Sequence, residues 1–390
     1  MLPKRVYTKI NLDNIQKNMQ TVRDKFGEDM LIMGIVKANA YGHGAVEVAK
    51  ALVEAGAGMF GVAAIDEAVE LRENGVTAPI LILGQIFRQD YATAIENDIT
   101  CTVIDIVTAQ GLSKKATELG KVAKVHIKID TGMGRIGFQP DTEGESEIKT
   151  VFDLPNLKIE GAFTHFANAD TVDKTSANAQ KQNFVDFTDK LIKDGYNFPI
   201  RHMYNSASAM ELTGYAGDMG RCGIMLYGLY PSDEMNRDYK LYPALEFKSS
   251  VSFVKSVKKG FTVSYGSTYV AEKDMKIATV PAGYGDGYPR YLSNKGEVLI
   301  RGTRCKIVGR VCMDQFMADV THIEDVKMGD KVTLIGEDKE ERITVEELGE
   351  IADKFNYEFV CGLSKRIPRI FVKDKKVIGT ENYFEGVFIS

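Results

Sequence analysis

The sequence predicts an α/β protein: an N-terminal (β/α)8 barrel over residues 1–240 followed by a β-rich C-terminal domain over 241–390. Three observations carry this. From residue 31 to about 230, short apolar runs alternate with longer amphipathic stretches eight times, the rhythm of a closed parallel barrel. No G-x-G-x-x-G follows the first apolar run, which counts against an open, doubly wound sheet. Between Tyr230 and Pro243 the rhythm changes: Pro231, Ser232 and Pro243 bracket a polar linker, and beyond it apolar runs recur without long helices.

Taken in order, a segment over 5–26 offers Asn11 as a cap for a short helix ahead of the barrel. The candidate barrel strands are 31–37, 59–63, 79–83, 99–104, 124–130, 159–164, 200–204 and 218–221, each rich in β-branched or apolar residues. Amphipathic stretches at 44–56, 65–75, 105–119 and 176–194 read as crossover helices. In the second domain the runs 245–257, 276–281, 297–301, 305–311, 315–320 and 331–335 read as strands, with Gly260, Gly302, Gly309 and Gly329 as turns. One helix is expected at 344–354, capped by Thr344. There is no internal repeat or low-complexity stretch.

Composition narrows the function. A net charge of −5 without a basic block argues against nucleic acid or an anionic membrane as partner. No apolar run reaches the length of a membrane span, and MLPKRVYTKI lacks an apolar signal core, so a cytoplasmic location is expected. Cys101, Cys222, Cys305, Cys312 and Cys361 are odd in number and lack C-x-x-C spacing, which suits reduced thiols rather than a disulfide or metal framework; no metal site is expected.

Catalytic groups of such barrels sit at the C-terminal ends of the strands. Lys37 ends the first run, where partial desolvation favours its neutral, nucleophilic amine. Strand five reads V-H-I-K128-I-D130 into T-G-M-G-R135, strand six ends at His165, strand seven at Asn205-Ser206 and strand eight at Arg221-Cys222-Gly223-Ile224. Polar residues thus collect at one end of the expected strands. Ser206 suits a helix N-cap or an anion contact, and Gly223 allows a close backbone approach. Lys128 is a charge in an otherwise apolar strand, costly to bury unpaired.

The run V-K37-A-N-A-Y41-G-H-G closely resembles the pyridoxal-phosphate signature of the alanine racemases, and the resemblance spans residue 5 to about 372, with at least five separate motifs in family order. The resemblance implies pyridoxal 5′-phosphate as cofactor, held covalently by Lys37. It implies phosphate contacts from Tyr41, Asn205, Ser206, Gly223, Ile224 and Tyr357, and Arg221 rather than a carboxylate opposite the pyridine nitrogen. Arg135 and Met313 would contact substrate, and Lys128 would stand where many members carry a carbamylated lysine. His165 would stack near the cofactor and orient Tyr265 of V-S-Y265-G-S, the second catalytic base, on the face opposite Lys37 and supplied by the partner subunit. Asp170, Tyr284, Arg290, Arg310 and Tyr357 would line the access passage. The function so implied is the interconversion of L- and D-alanine, supplying D-alanine for bacterial peptidoglycan, in a homodimer with shared active sites. A serine or broader-specificity racemase shares these motifs and stays open. A decarboxylase of similar architecture needs an acidic group where Arg221 stands, and a non-catalytic carrier would lack residues 243–390.

Overall fold

Eight parallel strands, each followed by a helix or turn, close around a packed lumen in the first unit of the chain. The computed structural model describes residues 5–27, 29–212, 214 and 217–383, so the outer ends of both expected domains, 1–4 and 384–390, lie outside the described residues. The chain divides into two compact units, Asn14–Ala40 with Ala45–Pro243, and Met1–Asp13 with Tyr41–Gly44 and Ala244–Ser390.

The barrel strands are Leu31–Ile35, Met59–Val62, Ile80–Ile82, Cys101–Val103, Ala123–Lys128, Leu157–Phe163, Ile200–Tyr204 and Met219–Cys222. Each runs parallel to its neighbours, with the last strand beside the first. Ile82 N–H donates to Thr100 O at 3.0 Å and Thr100 N–H to Ile80 O at 2.9 Å, which ties the third strand to the fourth and shuts the ring. Fully buried Val, Ile, Leu and Ala dominate these strands because helices cover their outer faces. The expected helices appear as Ala45–Glu54, Ile65–Glu73, Ile106–Leu119 and Thr175–Lys193. Two more, Tyr91–Glu96 and Thr142–Phe152, escaped the sequence reading, the latter capped by the Asp141 carboxylate accepting from Gly144 N–H. The longest described helix has 19 residues, and none is long and apolar enough to cross a membrane.

In the second unit the run 245–257 is not one strand but two, Leu245–Ser250 and Phe253–Val257, which enter different sheets. Val251 is buried at the break, and its N–H turns to Asp330 O at 2.8 Å. The segment 5–26 holds, besides its helix Leu12–Phe26, a strand Val6–Asn11. That strand pairs antiparallel with Leu245–Ser250 and parallel with Arg369–Lys373. Its partners lie far along the chain, so no local pattern announces it. Thr344 caps the helix Val345–Ala352, its hydroxyl accepting from Glu347 N–H at 3.1 Å; a further short helix, Asn356–Cys361, was not expected.

Arg369, only 1 % exposed, braces this unit from inside. Its guanidinium donates to Gly42 O at 3.2 Å, Ser364 O at 2.9 Å, Ile367 O at 2.8 Å and Leu363 O at 3.1 Å. Gly42 itself has φ +80°, and a Cβ there would stand 2.3 Å from Val360 O, so glycine is required twice over. Arg369→Met keeps most of the volume but takes the donor from the buried carbonyls of Gly42, Leu363 and Ile367, so we expect a loss of roughly 3 kcal/mol or more in urea unfolding of the full chain. An unchanged midpoint would mean those carbonyls find water.

Candidate functional site

The first barrel strand stops at Ile35, two residues short of Lys37, because the backbone then reverses its hand. Ala38, Asn39, Ala40 and Tyr41 all adopt left-handed φ values of 51–53°. For non-glycine residues this costs about 1–2 kcal/mol each. The turn is held by its surroundings: Glu67 accepts from Ala38 N–H at 2.6 Å and from Ala63 N–H at 2.7 Å, and the Asn39 side chain accepts from Ala45 N–H at 2.6 Å. Strain so buttressed at the foot of a half-buried lysine is the mark of a functional segment.

Inside the lumen Arg221 is 4 % exposed, and every bond of its two terminal nitrogens is to barrel groups. Nη1 donates to His202 Nδ1 at 3.0 Å; Nη2 donates to Thr164 O at 2.7 Å, Met203 O at 3.1 Å and His165 Nδ1 at 3.2 Å. The Phe163 ring lies 5.4 Å from its central carbon. Burial pulls the guanidinium down to about 9. Its Nε–H has no partner among the described residues, which leaves one donor for an uncharged acceptor in the lumen.

His165 shows which side chains converge. Burial pushes its imidazole well down, and Arg221, Arg135, Lys128 and Lys37 push it in the same direction, so one ring senses four expected site cations. It stays neutral, with Nδ1 accepting from Arg221 and the proton therefore on Nε2. Gln180, absent from the sequence reading, fixes this loop by donating to His165 O at 3.1 Å and accepting from Ala167 N–H at 2.9 Å.

Lys128 is 1 % exposed; it donates to Ile129 O at 2.9 Å and sits 5.7 Å from the Phe163 ring. Burial first, then Arg221 and Arg135 against the opposing pull of Asp130, lower its amine to about 8, so a neutral fraction exists near pH 7. Asp130, quoted in its motif but given no role above, organises the next loop. Its carboxylate accepts from the N–H groups of Gly132, Met133, Gly134 and Arg135 at 2.8–3.1 Å. Burial would raise that carboxyl, but the amides of Gly132, Gly134 and Arg135 outweigh it and hold it low. Arg135 is thereby placed, exposed, beyond the strand end.

At the next strand ends Asn205 caps the short helix Ser206–Glu211: its side chain accepts from Ser208 N–H at 3.0 Å, while Ser208 Oγ accepts from Asn205 N–H at 2.7 Å. Ser206 Oγ accepts from Gly223 N–H at 2.9 Å, which leaves its own hydroxyl proton to donate. Ile224 opens the 3-10 turn Ile224–Tyr227 directly after Gly223. Asp170, half-buried, takes Ser232 Oγ–H on its carbonyl at 2.7 Å.

In the second unit, Tyr41 is 7 % exposed, its ring 5.9 Å from that of Tyr357, which stacks on Phe355 at 4.7 Å. Burial, with a smaller contribution from Cys361, pushes the Tyr41 phenol up. Tyr265 is 70 % exposed on a turn whose entry is strained: Ser264 has φ +67° and ψ −178°, a region essentially reserved for glycine. The Ser264 hydroxyl donates to Arg310 O at 2.7 Å, holding that strain. Tyr265 and Met313 line a cavity of about 450 Å³ with Ser264, Cys312, Gln315 and Met317. The loop carrying Met313 is locked to that of Tyr284, whose N–H donates to Cys312 O at 3.0 Å. Behind them, fully buried Asp286 accepts from Arg5 at 2.8 Å and Arg366 at 2.8 Å. Arg290 stands exposed on the turn Arg290–Leu292. None of Asp286, Arg366 or His202 was singled out from sequence, where each reads as an ordinary polar residue in a strand or turn.

Comparison with known proteins agrees with this arrangement. Residues 10–231 match the family described as alanine racemase, N-terminal domain, and 244–371 its C-terminal domain. The chain is similar to the alanine racemase of Clostridium perfringens strain ATCC 13124, 47 % identical over 97 % of this chain and 98 % of that protein. Among solved structures it resembles alanine racemase of Clostridium difficile 630, with TM-score 0.95 and 40 % identity over 98 % of this chain and 100 % of that one. It also resembles the Bacillus anthracis alanine racemase with bound L-Ala-P, with TM-score 0.94 and 38 % identity over 99 % of this chain and 100 % of that one.

Two outcomes follow from the geometry. Ala38→Val places a β-branched side chain in a left-handed, exposed position and should cost about 1–3 kcal/mol in urea unfolding, whereas Ala38→Gly should change stability by less than about 1 kcal/mol. Equal midpoints for the two would show that the turn relaxes. The second concerns acid. His126, His165 and His202 are all held neutral, burial being the largest cause in each, while in the unfolded chain each takes a proton near pH 6.5. Below that pH the unfolded chain binds protons the folded chain refuses, so stability present above it is lost as pH falls, toward about 3 for His126. With three such groups the slope should approach roughly 4 kcal/mol per pH unit below about pH 5.5. Denaturant midpoints that stay level between pH 7 and 5 would mean the rings are protonated in the fold.

Proposed function

The chain belongs to the alanine racemase family, which makes it a racemase and hence an isomerase, and on that footing we propose that it interconverts L- and D-alanine with pyridoxal 5′-phosphate, supplying D-alanine for peptidoglycan. The observation that carries this reading is the state of Arg221. Its terminal nitrogens are consumed by barrel groups, and the remaining Nε–H suits the unprotonated ring nitrogen of that cofactor. The Ser206 hydroxyl beside Gly223 N–H suits an anionic phosphate, with Asn205 and Ile224 at the same strand ends, and Tyr41 and Tyr357 would add phenol donors to it.

Pyridoxal phosphate, when bound, draws electrons from the amino acid and makes its Cα proton removable. Lys37 would hold it covalently and move a proton on one face of the substrate; Tyr265 would do so on the other, since inversion needs two groups on opposite sides. Arg221, a permanent cation, keeps the ring nitrogen from holding a proton of its own. The cofactor so held would supply only a shallow electron sink, which favours prompt return of a proton to Cα by Lys37 or Tyr265. His165 would orient Tyr265, while Arg135 and Met313 contact the substrate and Asp170, Tyr284, Arg290 and Arg310 line its approach. Lys128, with an amine lowered to about 8, can add carbon dioxide and release a proton, giving a carbamate anion for Arg135. The high exposure of Tyr265 supports its use in a neighbour's site within a homodimer.

Lys37→Ala should lower racemisation by at least about 100-fold, because it removes a proton-transferring group. Borohydride should then trap no cofactor on the peptide that spans residue 37; trapped cofactor on a different wild-type peptide would sink the assignment. Mixing and refolding Lys37→Ala with Tyr265→Phe in equal amounts should restore about a quarter of wild-type activity, since half the dimers are mixed and each holds one intact site. Proven mixed dimers without activity would place Tyr265 in its own chain's site.

A further inference from the structure

The lumen has a second end, opposite Lys37, and a chain of hydrogen bonds leads to it from Arg221. A guanidinium only donates, so His202 Nδ1, 3.0 Å from Nη1, must accept, and the one proton of that neutral ring sits on Nε2. His202 Nε2 lies 2.8 Å from His126 Nδ1, which accepts in turn and puts the His126 proton on Nε2. Both rings are fully buried, and His202 is held by a bond at each nitrogen, Nδ1 to Arg221 and Nε2 to His126, with the Phe163 ring stacked on it at 4.8 Å. His126 Nε2–H is then a buried donor with no partner among the described residues. Donors so placed are rare, because each forfeits its bond to water.

His126 lines a cavity of about 230 Å³ at the N-terminal ends of the barrel strands. Leu31, Met59 and Ile200, each at the first residue of its strand, make an apolar wall. The charges at its rim, Lys158 and Glu160, are paired with each other at 2.9 Å. An anion would find only a neutral imidazole and an already satisfied ammonium, and a cation would find only a carboxylate already taken. The volume is several times the roughly 30 Å³ share of one water molecule.

We propose that this floor cavity is a binding site for a small, uncharged, largely apolar molecule carrying one strong hydrogen-bond acceptor, such as a carbonyl oxygen, which takes the His126 Nε2–H. Its occupancy is felt at Arg221 through His126 and His202, since an acceptor at one end of a hydrogen-bonded chain strengthens the bonds along it. The site requires nothing of the mouth of the barrel and stands whether or not the cofactor assignment does.

The test titrates the full chain, labelled with 15N in its histidine rings, with N-methylpyrrolidone, which offers one carbonyl and no donor. The His126 Nε2 resonance should move and saturate at roughly millimolar probe, with a smaller concerted shift at His202. His126→Phe, which keeps a ring but has no N–H, should abolish saturation transfer from protein to probe. His126→Gln should retain it, because its carbonyl accepts from His202 while its amide donates into the cavity. A wild-type His126 resonance that does not move, as when the cavity holds water alone, overturns the proposal, as does a proton found on Nδ1. If the Phe variant fails to fold, the wild-type titration and the Gln variant decide the matter.

Discussion

One buried guanidinium sets the terms for the barrel lumen. Arg221 cannot give up its charge without leaving the bonds that hold it, and it donates to two histidine rings and two carbonyls from the sixth and seventh strands. Each partner is thereby assigned a proton position. His165 and His202 are both acceptors at Nδ1, and neither has room for a second proton beside that cation. The interior that results is polar and yet almost free of mobile protons, an unusual medium for acid–base chemistry. The groups proposed to move a proton stand instead at the rim, Lys37 two residues beyond the end of the first strand.

The two units hold the two side chains proposed to act, Lys37 and Tyr265, in different ways. Lys37 is held by a reversal of backbone hand, whose strain is offset by side-chain acceptors from Glu67 and Asn39. Tyr265 is held by one strained residue before it, Ser264, whose hydroxyl is tied to the Arg310 carbonyl. In both, the left-handed backbone sits one residue from that side chain rather than on it.

How much of this was legible in the sequence depends on the range of the interaction. The eight barrel strands are local apolar runs and fall within a few residues of their expected places, because burial on both faces leaves a continuous signal. The helix Val345–Ala352 with its Thr344 cap is read as readily, since a cap is a matter of three adjacent residues. The strand Val6–Asn11 is invisible for the opposite reason: it exists only by pairing with residues 245–250 and 369–372. The family motifs placed Lys37, Arg221 and Tyr265 by resemblance, but no spacing announces that His202 and His126 stand 2.8 Å apart, since 76 residues separate them. Asp130 was quoted within its motif and still passed over. Its role lies in four backbone amides, and backbone has no letter in the sequence.

The pairing of Val6–Asn11 has a consequence for how the protein is made. This strand is made well before the strands that flank it, which follow after about 230 and 360 more residues. At typical elongation rates of roughly 5–20 residues per second, that is an interval of some tens of seconds. Throughout it, a short β-branched edge travels with both rows of its amides and carbonyls unmatched, beside a barrel whose strands are complete once Cys222 has emerged. The sheet thus joins segments made far apart in time, and Val6–Asn11 needs protection until residues 369–372 arrive.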